Sequence, residues 1–370
     1  MARPTAASST RFRRVLIIKP SSLGDIIHAL PVLAAIRQAH PQAHVAWLAN
    51  TTFAPLLDGH PLLDEVIPFD RRHYGRMLRS PRALRDFIRF LWQLRNRRFD
   101  LVLDLQGLFR SGILTWATGA HVRLGFADAR EGAYAFYSQR IPGSRKDCHA
   151  VEMNLLAAEA LGLPAGPPTF PLGLLPGDLE TARQLLAAVG GRPIDRFTAV
   201  VPGARWDTKR WPMSRLAAVI DRLHAQGGAP CVLLGAPDDR TEAEQIIAHA
   251  RTKTRIVNLV GRTSLRQLAA TLALADLVLC HDSGPMHIAA ALNKPIVAIF
   301  GPTDPARTGP YCQTARIAAL PLPCRPCLRR QCPLQHHDCM QKLDIETVLS
   351  LIQAARTDTA AHHTTAPAHT

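Results

Sequence analysis

Short apolar runs alternate with stretches of helical periodicity along almost the whole chain. Val15-Leu16-Ile17-Ile18 reads as a buried strand, and Ile26, Ile27, Leu30, Leu33 and Ile36 then recur at the spacing of one helix face. Further strands are predicted at 44–48, 66–68 and 101–105, with helical stretches between them and a helix over 151–161 closed by Gly162. Segment 164–177 breaks the pattern with five prolines and three glycines, residues that continue neither a helix nor a central strand. The pattern then restarts, with strands predicted at 198–201, 231–234, 256–260, 277–280 and 296–300. Helices are predicted at 214–226, 242–250, 265–274 and 284–292. Alternating strands and helices call for parallel sheets covered on both faces. The expected fold is therefore α/β: two Rossmann-like, doubly wound parallel-sheet domains facing across a cleft. The predicted division is a disordered basic N-terminus at 1–13, one domain at 14–163, a Pro/Gly-rich linker at 164–177, a second domain at 178–355, and a disordered tail at 356–370 rich in Thr, Ala and His.

Composition narrows the class. A chain of 370 residues suits two domains, and 47% hydrophobic residues exclude an intrinsically disordered protein. No apolar run reaches the roughly 18 residues of a membrane span, since the best stretch, 287–300, is broken by Asn293-Lys294-Pro295. The first residues carry arginines without the apolar core of a secretory leader, so a cytoplasmic protein is expected. The charge is less ordinary: 44 Lys and Arg against 29 Asp and Glu give +15. An arginine-biased composition is the plain reading; attraction to an anionic partner (nucleic acid, an acidic membrane surface or a phosphorylated substrate) is the sharper one. The densest basic stretch, 71–98, interleaves arginines with Leu78, Leu84, Phe87, Ile88, Leu91, Trp92 and Leu94 and reads as one amphipathic helix with a basic face. No nucleic-acid-binding motif accompanies it, which favours contact with a membrane surface or phosphates over nucleic acid.

Ligands of open parallel sheets bind beyond the carboxyl ends of the strands, and three loops fall there. The first is Ser21-Ser22-Leu23-Gly24-Asp25, which lacks both the dinucleotide glycine fingerprint and the Walker phosphate loop. Its lone carboxylate, Asp25, reads either as a reacting group or as a first-turn acid beside a Ser22 cap. The second is Pro202–Pro212, with the cations Arg205, Lys209 and Arg210 and the indoles Trp206 and Trp211, a phosphate clamp or an ordinary basic surface loop. The third is His281-Asp282-Ser283-Gly284-Pro285-Met286-His287, with the form of a pyrophosphate site at a helix start or of a structural cap.

Three runs, RVLIIKPSSLGDIIHALPVLAAIRQAHP, PGARWDTKRWP and HDSGPMHIAAALNKPIVAIFGPTDP, together resemble glycosyltransferase family 9, the ADP-heptose:lipopolysaccharide heptosyltransferases. The resemblance extends from Arg14 to about Leu349. His28, Pro31, the run 103–108 and Ala129-Arg130-Glu131 bring the chain nearest to the heptosyltransferase I branch, with the heptosyltransferase II branch the less similar. The resemblance implies a GT-B fold, an acceptor domain first and an ADP-heptose domain second. It implies an inverting transfer of heptose to the 3-deoxy-manno-octulosonate (Kdo) of lipid A in the lipopolysaccharide inner core. Asp25 matches the family's proposed general base, beside Ser21, Ser22 and Gly24 in the acceptor-side loop. Lys209 matches the lysine on the donor phosphates, and Asp282, Ser283, Gly284 and His287 match the donor-binding turn. Ala204 and Arg205 replace a pair of threonines found in some members, and no glutamate for the ribose is apparent after Leu234-Gly235-Ala236. No Asp-x-Asp motif stands near these loops, so the chemical step is expected to need no metal. Expected partners are ADP-heptose, the Kdo-lipid A acceptor and the anionic surface of the inner membrane's cytoplasmic face. A same-fold transferase with another sugar or acceptor, and a non-catalytic nucleotide- or metal-binding protein, remain the alternatives.

Four of the eight cysteines fall as Cys324-x2-Cys327-x4-Cys332-x6-Cys339, with His336 and His337 inside the run. In a cytoplasmic protein this spacing points to a metal site before disulfides, with structural zinc, an iron–sulfur cluster and free thiols all open. Cys148, Cys231, Cys280 and Cys312 are scattered and read as small hydrophobes.

Overall fold

A computed structural model describes residues 11–144, 148–164 and 166–364. The chain divides into two compact units, Met1–Gly173 and Leu174–Thr370, with the border inside the proline-rich segment. The N-terminal unit begins with β1 (Arg14–Ile18), α1 (Leu23–Ala39), β2 (His44–Asn50), α2 (Ala54–Leu57), β3 (Glu65–Phe69) and α3 (Arg71–Tyr74). It continues with α4 (Pro81–Asn96), β4 (Leu101–Asp104), α5 (Phe109–Ala117), β5 (Val122–Phe126), β6 (Gln139–Ile141) and α6 (Ala150–Ala160). Its six strands run parallel in the order β3-β2-β1-β4-β5-β6. Val15 to Ile18 and Leu101 to Leu103 are wholly buried, because central parallel strands are covered on both faces.

The C-terminal unit opens with α7 (Pro176–Gly190), β7 (Thr198–Val201), α8 (Met213–Ala225), β8 (Cys231–Leu233), α9 (Arg240–His249), β9 (Ile256–Asn258) and α10 (Leu265–Leu274). It closes with β10 (Leu277–His281), α11 (Gly284–Ala291), β11 (Ile296–Ile299), α12 (Pro305–Thr308), β12 (Ala315–Ala318), α13 (Asp338–Gln341) and α14 (Ile345–Thr364). Its parallel sheet has the order β12-β11-β10-β7-β8-β9, which repeats the winding of the first. In each sheet the chain starts in the middle, winds one way, then returns to wind the other. The switch points lie between β1 and β4 and between β7 and β10, where the crevice of a doubly wound sheet opens.

Three expectations are corrected. The basic stretch 71–98 is two helices rather than one, because Ser80 caps a new start, its Oγ accepting the Ala83 N–H at 3.3 Å, and Pro81 takes the first turn. Pro176, assigned to the linker, likewise opens α7, where its missing N–H leaves no helical bond unmade. The tail expected to be disordered from 356 instead continues α14 to Thr364. Alanine-rich sequence favours helix there, and Val348, Ile352 and Ala355 anchor it at helical spacing in the core. Residues 1–10 and 365–370 of the expected disordered ends, with His369, lie outside the described residues.

Candidate functional site

In the N-terminal unit the residues of the first loop gather at the switch point. Lys19 leaves the end of β1 and is buried, its Nζ donating to the Leu105 carbonyl beyond β4 at 2.6 Å. Ser21 N–H reaches Gln106 Oε1 at 3.4 Å, a second tie between the two loops. Asp25 stands at the third position of α1, where its Oδ2 accepts both the N–H and the hydroxyl of Ser22 at 2.7 Å. Its Oδ1 lies 3.8 Å from Lys19 Nζ, and the side chain keeps 42% of its surface exposed. Asp25 thus caps the helix and also presents a carboxylate outward. Gly24 is buried at the second position of the same turn.

Asp104 ends β4 wholly buried; it lies in the run 103–108 but was given no role in the site. It accepts from the Gln106 and Gly107 N–H groups at 2.9 and 3.0 Å and from the Tyr137 hydroxyl at 2.8 Å. Burial pushes its carboxyl upward despite those donors. The run 129–131 locks onto the same loop: Arg130 N–H donates to Gly107 O at 3.0 Å, and Phe109 N–H to Glu131 Oε2 at 3.2 Å.

In the C-terminal unit, Lys209, Asp282, Ser283, Gly284 and His287 come together at the other switch point. Lys209 Nζ lies 2.6 Å from Asp282 Oδ2, with both side chains largely buried, and the Thr303 hydroxyl donates to the same oxygen at 2.6 Å. Lys209 also sits over the Trp206 ring, 4.6 Å from its centroid. Ser283 stands at the N-cap position of α11 without a side-chain cap bond, and its Oγ is shielded from solvent with no hydrogen-bond partner among the described residues. Gly284 and Pro285 open α11, and His287 is buried within its first turn and a half. A lysine, a helix start and an unanswered hydroxyl converge here, an arrangement suited to an anionic group.

His281 makes the loop rigid. Trp211 N–H donates to its Nε2 at 3.0 Å, which leaves Nδ1 to carry the proton and donate to Pro202 O at 2.9 Å. One imidazole therefore pins both ends of the loop that carries Lys209. Burial drives its pKa down to about 4, so it stays neutral at physiological pH. Trp211 is fully buried and donates from Nε1 to Leu343 O at 3.1 Å, which ties the loop to the start of α14. A Cβ at Gly203 would meet Asp239 Oδ1 at 2.1 Å, so any side chain there would have to displace that carboxylate. After β8, burial raises the Asp239 carboxyl, and Glu242 takes Arg210 at 2.8 Å. These two carboxylates follow the segment where no ribose-holding glutamate was apparent. Arg205 projects into solvent and Ala204 is buried.

Cys324, Cys327, Cys332 and Cys339 line one cavity of about 20 Å3 with His336, His337 and Thr208. That is room for one water or one small ion. Among the described residues no three Cys, His, Asp or Glu side chains are grouped closely enough to hold a metal ion. The loop also grips the neighbour of Lys209: Thr208 Oγ1 donates to Arg329 O at 2.9 Å, and His337 Nε2 lies 2.8 Å from Thr208 O. Motif spacing gave no sign of this brace; it depends on contacts more than 120 residues apart.

Residues 87–337 match the model of glycosyltransferase family 9 (heptosyltransferase). Lipopolysaccharide heptosyltransferase 1 of Pseudomonas aeruginosa is 33% identical over 327 residues, 87% of this chain and 88% of that protein. The solved ADP-heptose lps heptosyltransferase II of E. coli superposes with a TM-score of 0.77 at 25% identity, covering 94% of this chain and 99% of that one. The E. coli heptosyltransferase WaaC with ADP-2-deoxy-2-fluoro heptose superposes with a TM-score of 0.73 at 27% identity, covering 92% of this chain and 99% of that one. The two doubly wound sheets are those of the GT-B class, and the chain belongs to glycosyltransferase family 9, the heptosyltransferases.

Proposed function

We propose that this glycosyltransferase moves a heptose from ADP-L-glycero-D-manno-heptose to the Kdo of lipid A, with inversion at the anomeric carbon. The observation that carries the reading is the Lys209–Asp282–Ser283 arrangement at the switch point of the second sheet. As the glycosidic bond to the diphosphate breaks, negative charge grows on the leaving oxygen. Lys209, held in place by Asp282 and Trp206, and the first turn of α11 stabilise that charge. The Ser283 hydroxyl donates to the same diphosphate. Asp25 takes the proton of the attacking acceptor hydroxyl, its other oxygen 3.8 Å from Lys19 Nζ. A single displacement inverts the centre and needs no second catalytic carboxylate.

The C-terminal unit binds the donor and the N-terminal unit the lipid-linked acceptor. No helix among the described residues is long and apolar enough to cross a membrane, and the reading places the protein as a peripheral one on the cytoplasmic face of the inner membrane. Zinc at Cys324, Cys327, Cys332 and Cys339 is no part of this reading, since no three of these side chains are grouped closely enough to hold it as they stand, and no chemical step runs through a metal there.

Incubation with ADP-heptose and Kdo-lipid A tests the function. The expected result is release of ADP together with an acceptor heavier by one heptose. ADP release only with a different sugar nucleotide or acceptor would move the chain to another transferase of the same fold, and no transfer with any would discard the reading.

A further inference from the structure

Helix α4 turns only part of its apolar surface inward. Ala83, Phe87, Phe90 and Leu94 face the core, while Leu84, Ile88 and Trp92, one helical turn apart, are 43%, 57% and 65% exposed. Leu78, in the turn leading into the helix, is 92% exposed, and α5, packed beside α4, presents Trp116 at 62%. Arg82, Arg85 and Arg89 flank the stripe on one side and are exposed, with Arg95 and Arg98 exposed towards its far end. Segment 71–98 holds ten arginines and one carboxylate; Arg97 pairs with Glu65 at 2.6 Å, and Asp86 is already engaged by His73 Nε2 at 3.0 Å and Arg89 at 3.6 Å. An apolar ridge with an indole, bordered by guanidinium groups, is the surface of a helix that lies in a lipid interface: the ridge enters the acyl boundary and the arginines meet headgroup phosphates.

We propose, resting on the reading of this chain as a transferase for a lipid-linked acceptor, that Leu78, Leu84, Ile88 and Trp92 insert into an anionic phospholipid bilayer. Charge complementarity chooses this occupant: the exposed Arg82, Arg85, Arg89, Arg95 and Arg98 beside an apolar ridge repel a second copy of the same face and suit a negatively charged one. The arginines set the preference for anionic lipid, and the ridge makes binding persist when salt screens the charges.

Co-sedimentation with phosphatidylcholine vesicles, with and without phosphatidylglycerol, at low and high salt tests it. Wild type is expected to pellet with phosphatidylglycerol vesicles. Leu84→Ser/Ile88→Ser/Trp92→Ser is expected to lose about tenfold or more in partitioning, and Arg82→Gln/Arg85→Gln/Arg89→Gln to lose the lipid preference. Brominated lipid should quench wild-type fluorescence more than that of Trp92→Phe. Partitioning unchanged by the apolar triple variant, wild type left in the supernatant with both vesicles, or a dimer that the triple variant dissociates would each overturn the proposal. ADP release with a delipidated, soluble acceptor is expected to be the same in wild type and both triple variants. Its absence in wild type would count against the transferase reading and leave the vesicle result standing.

Discussion

Asp25 serves two purposes that one substitution can separate. Asparagine keeps an oxygen for the Ser22 donors but cannot accept a proton at neutral pH. Asp25→Asn is therefore expected to cost less than about 1 kcal/mol of stability, while turnover falls about a hundredfold and ADP-heptose affinity is unchanged. Lys209→Ala is expected to weaken ADP binding and lower turnover, since its charge meets the diphosphate both before and during departure. Melting temperature, calorimetric ADP binding and turnover of the two variants check this, and near-normal turnover in Asp25→Asn would leave the residue as a cap alone. His281 gives a pH dependence. Its pKa is about 4 in the folded protein against an ordinary 6.5, so below pH 6.5 the unfolded chain takes up a proton that the folded chain refuses. Stability from this group is whole above pH 6.5 and declines towards pH 4, by about 3 kcal/mol in all. His281→Gln should flatten that part of the plot of denaturation midpoint against pH; an unchanged slope would assign it to other groups.

The elements show where periodicity speaks and where it stays silent. The apolar residues of 71–98 follow helical spacing, but spacing alone does not say which of them a core will accept. Phe87 and Leu94 found one, and Ile88 and Trp92 did not. Strands β5, β6 and β12 went unread because they are short and carry Arg123, Gln139, Arg140 and Arg316 among few apolar positions. The Cys-rich loop is the element whose role changed most. Its cysteines suggested local stabilisation, and its contacts add a hold on Thr208, next to Lys209. Replacing Cys324 and Cys327 by Ser is expected to lower the melting temperature more than the turnover per folded molecule. If zinc is held there, chelation lowers the melting temperature in the same way, with about one zinc per chain by elemental analysis. Metal-free protein of unchanged stability would leave the cysteines as free thiols. His337→Ala, which releases the Thr208 carbonyl, is expected to raise the donor KM without a comparable loss of stability, read from steady-state kinetics and thermal melts.

At the scale of the whole molecule the two sheets repeat one winding, and each places its polar residues at its switch point. Donor binding to the second of these predicts a local footprint. ADP at roughly a hundred times its Kd should stabilise the protein by about 2.7 kcal/mol and slow hydrogen exchange over 202–211 and 282–287. Protection centred on 19–25 instead would move the nucleotide site to the N-terminal unit. Much of this was legible in the chain. Alternating apolar runs and helical stretches imply parallel sheets, because a strand buried on both faces must be apolar throughout and a parallel partner needs a crossover. The place of the Asp25 and Lys209 loops, between a strand's end and a helix's start, was legible too; the role of each residue was not, since a cap or a surface loop uses the same residue types. Strand order was not, because periodicity records which face of an element is buried and not which neighbour buries it. Only the order β3-β2-β1-β4 puts Lys19 against Leu105, and only β10 beside β7 lets His281 pin Pro202 and Trp211. The sequence by itself determined which residues could react; the tertiary structure decided which of them meet, because hydrogen bonds between segments 70 to 130 residues apart depend on strand adjacency that no local spacing encodes.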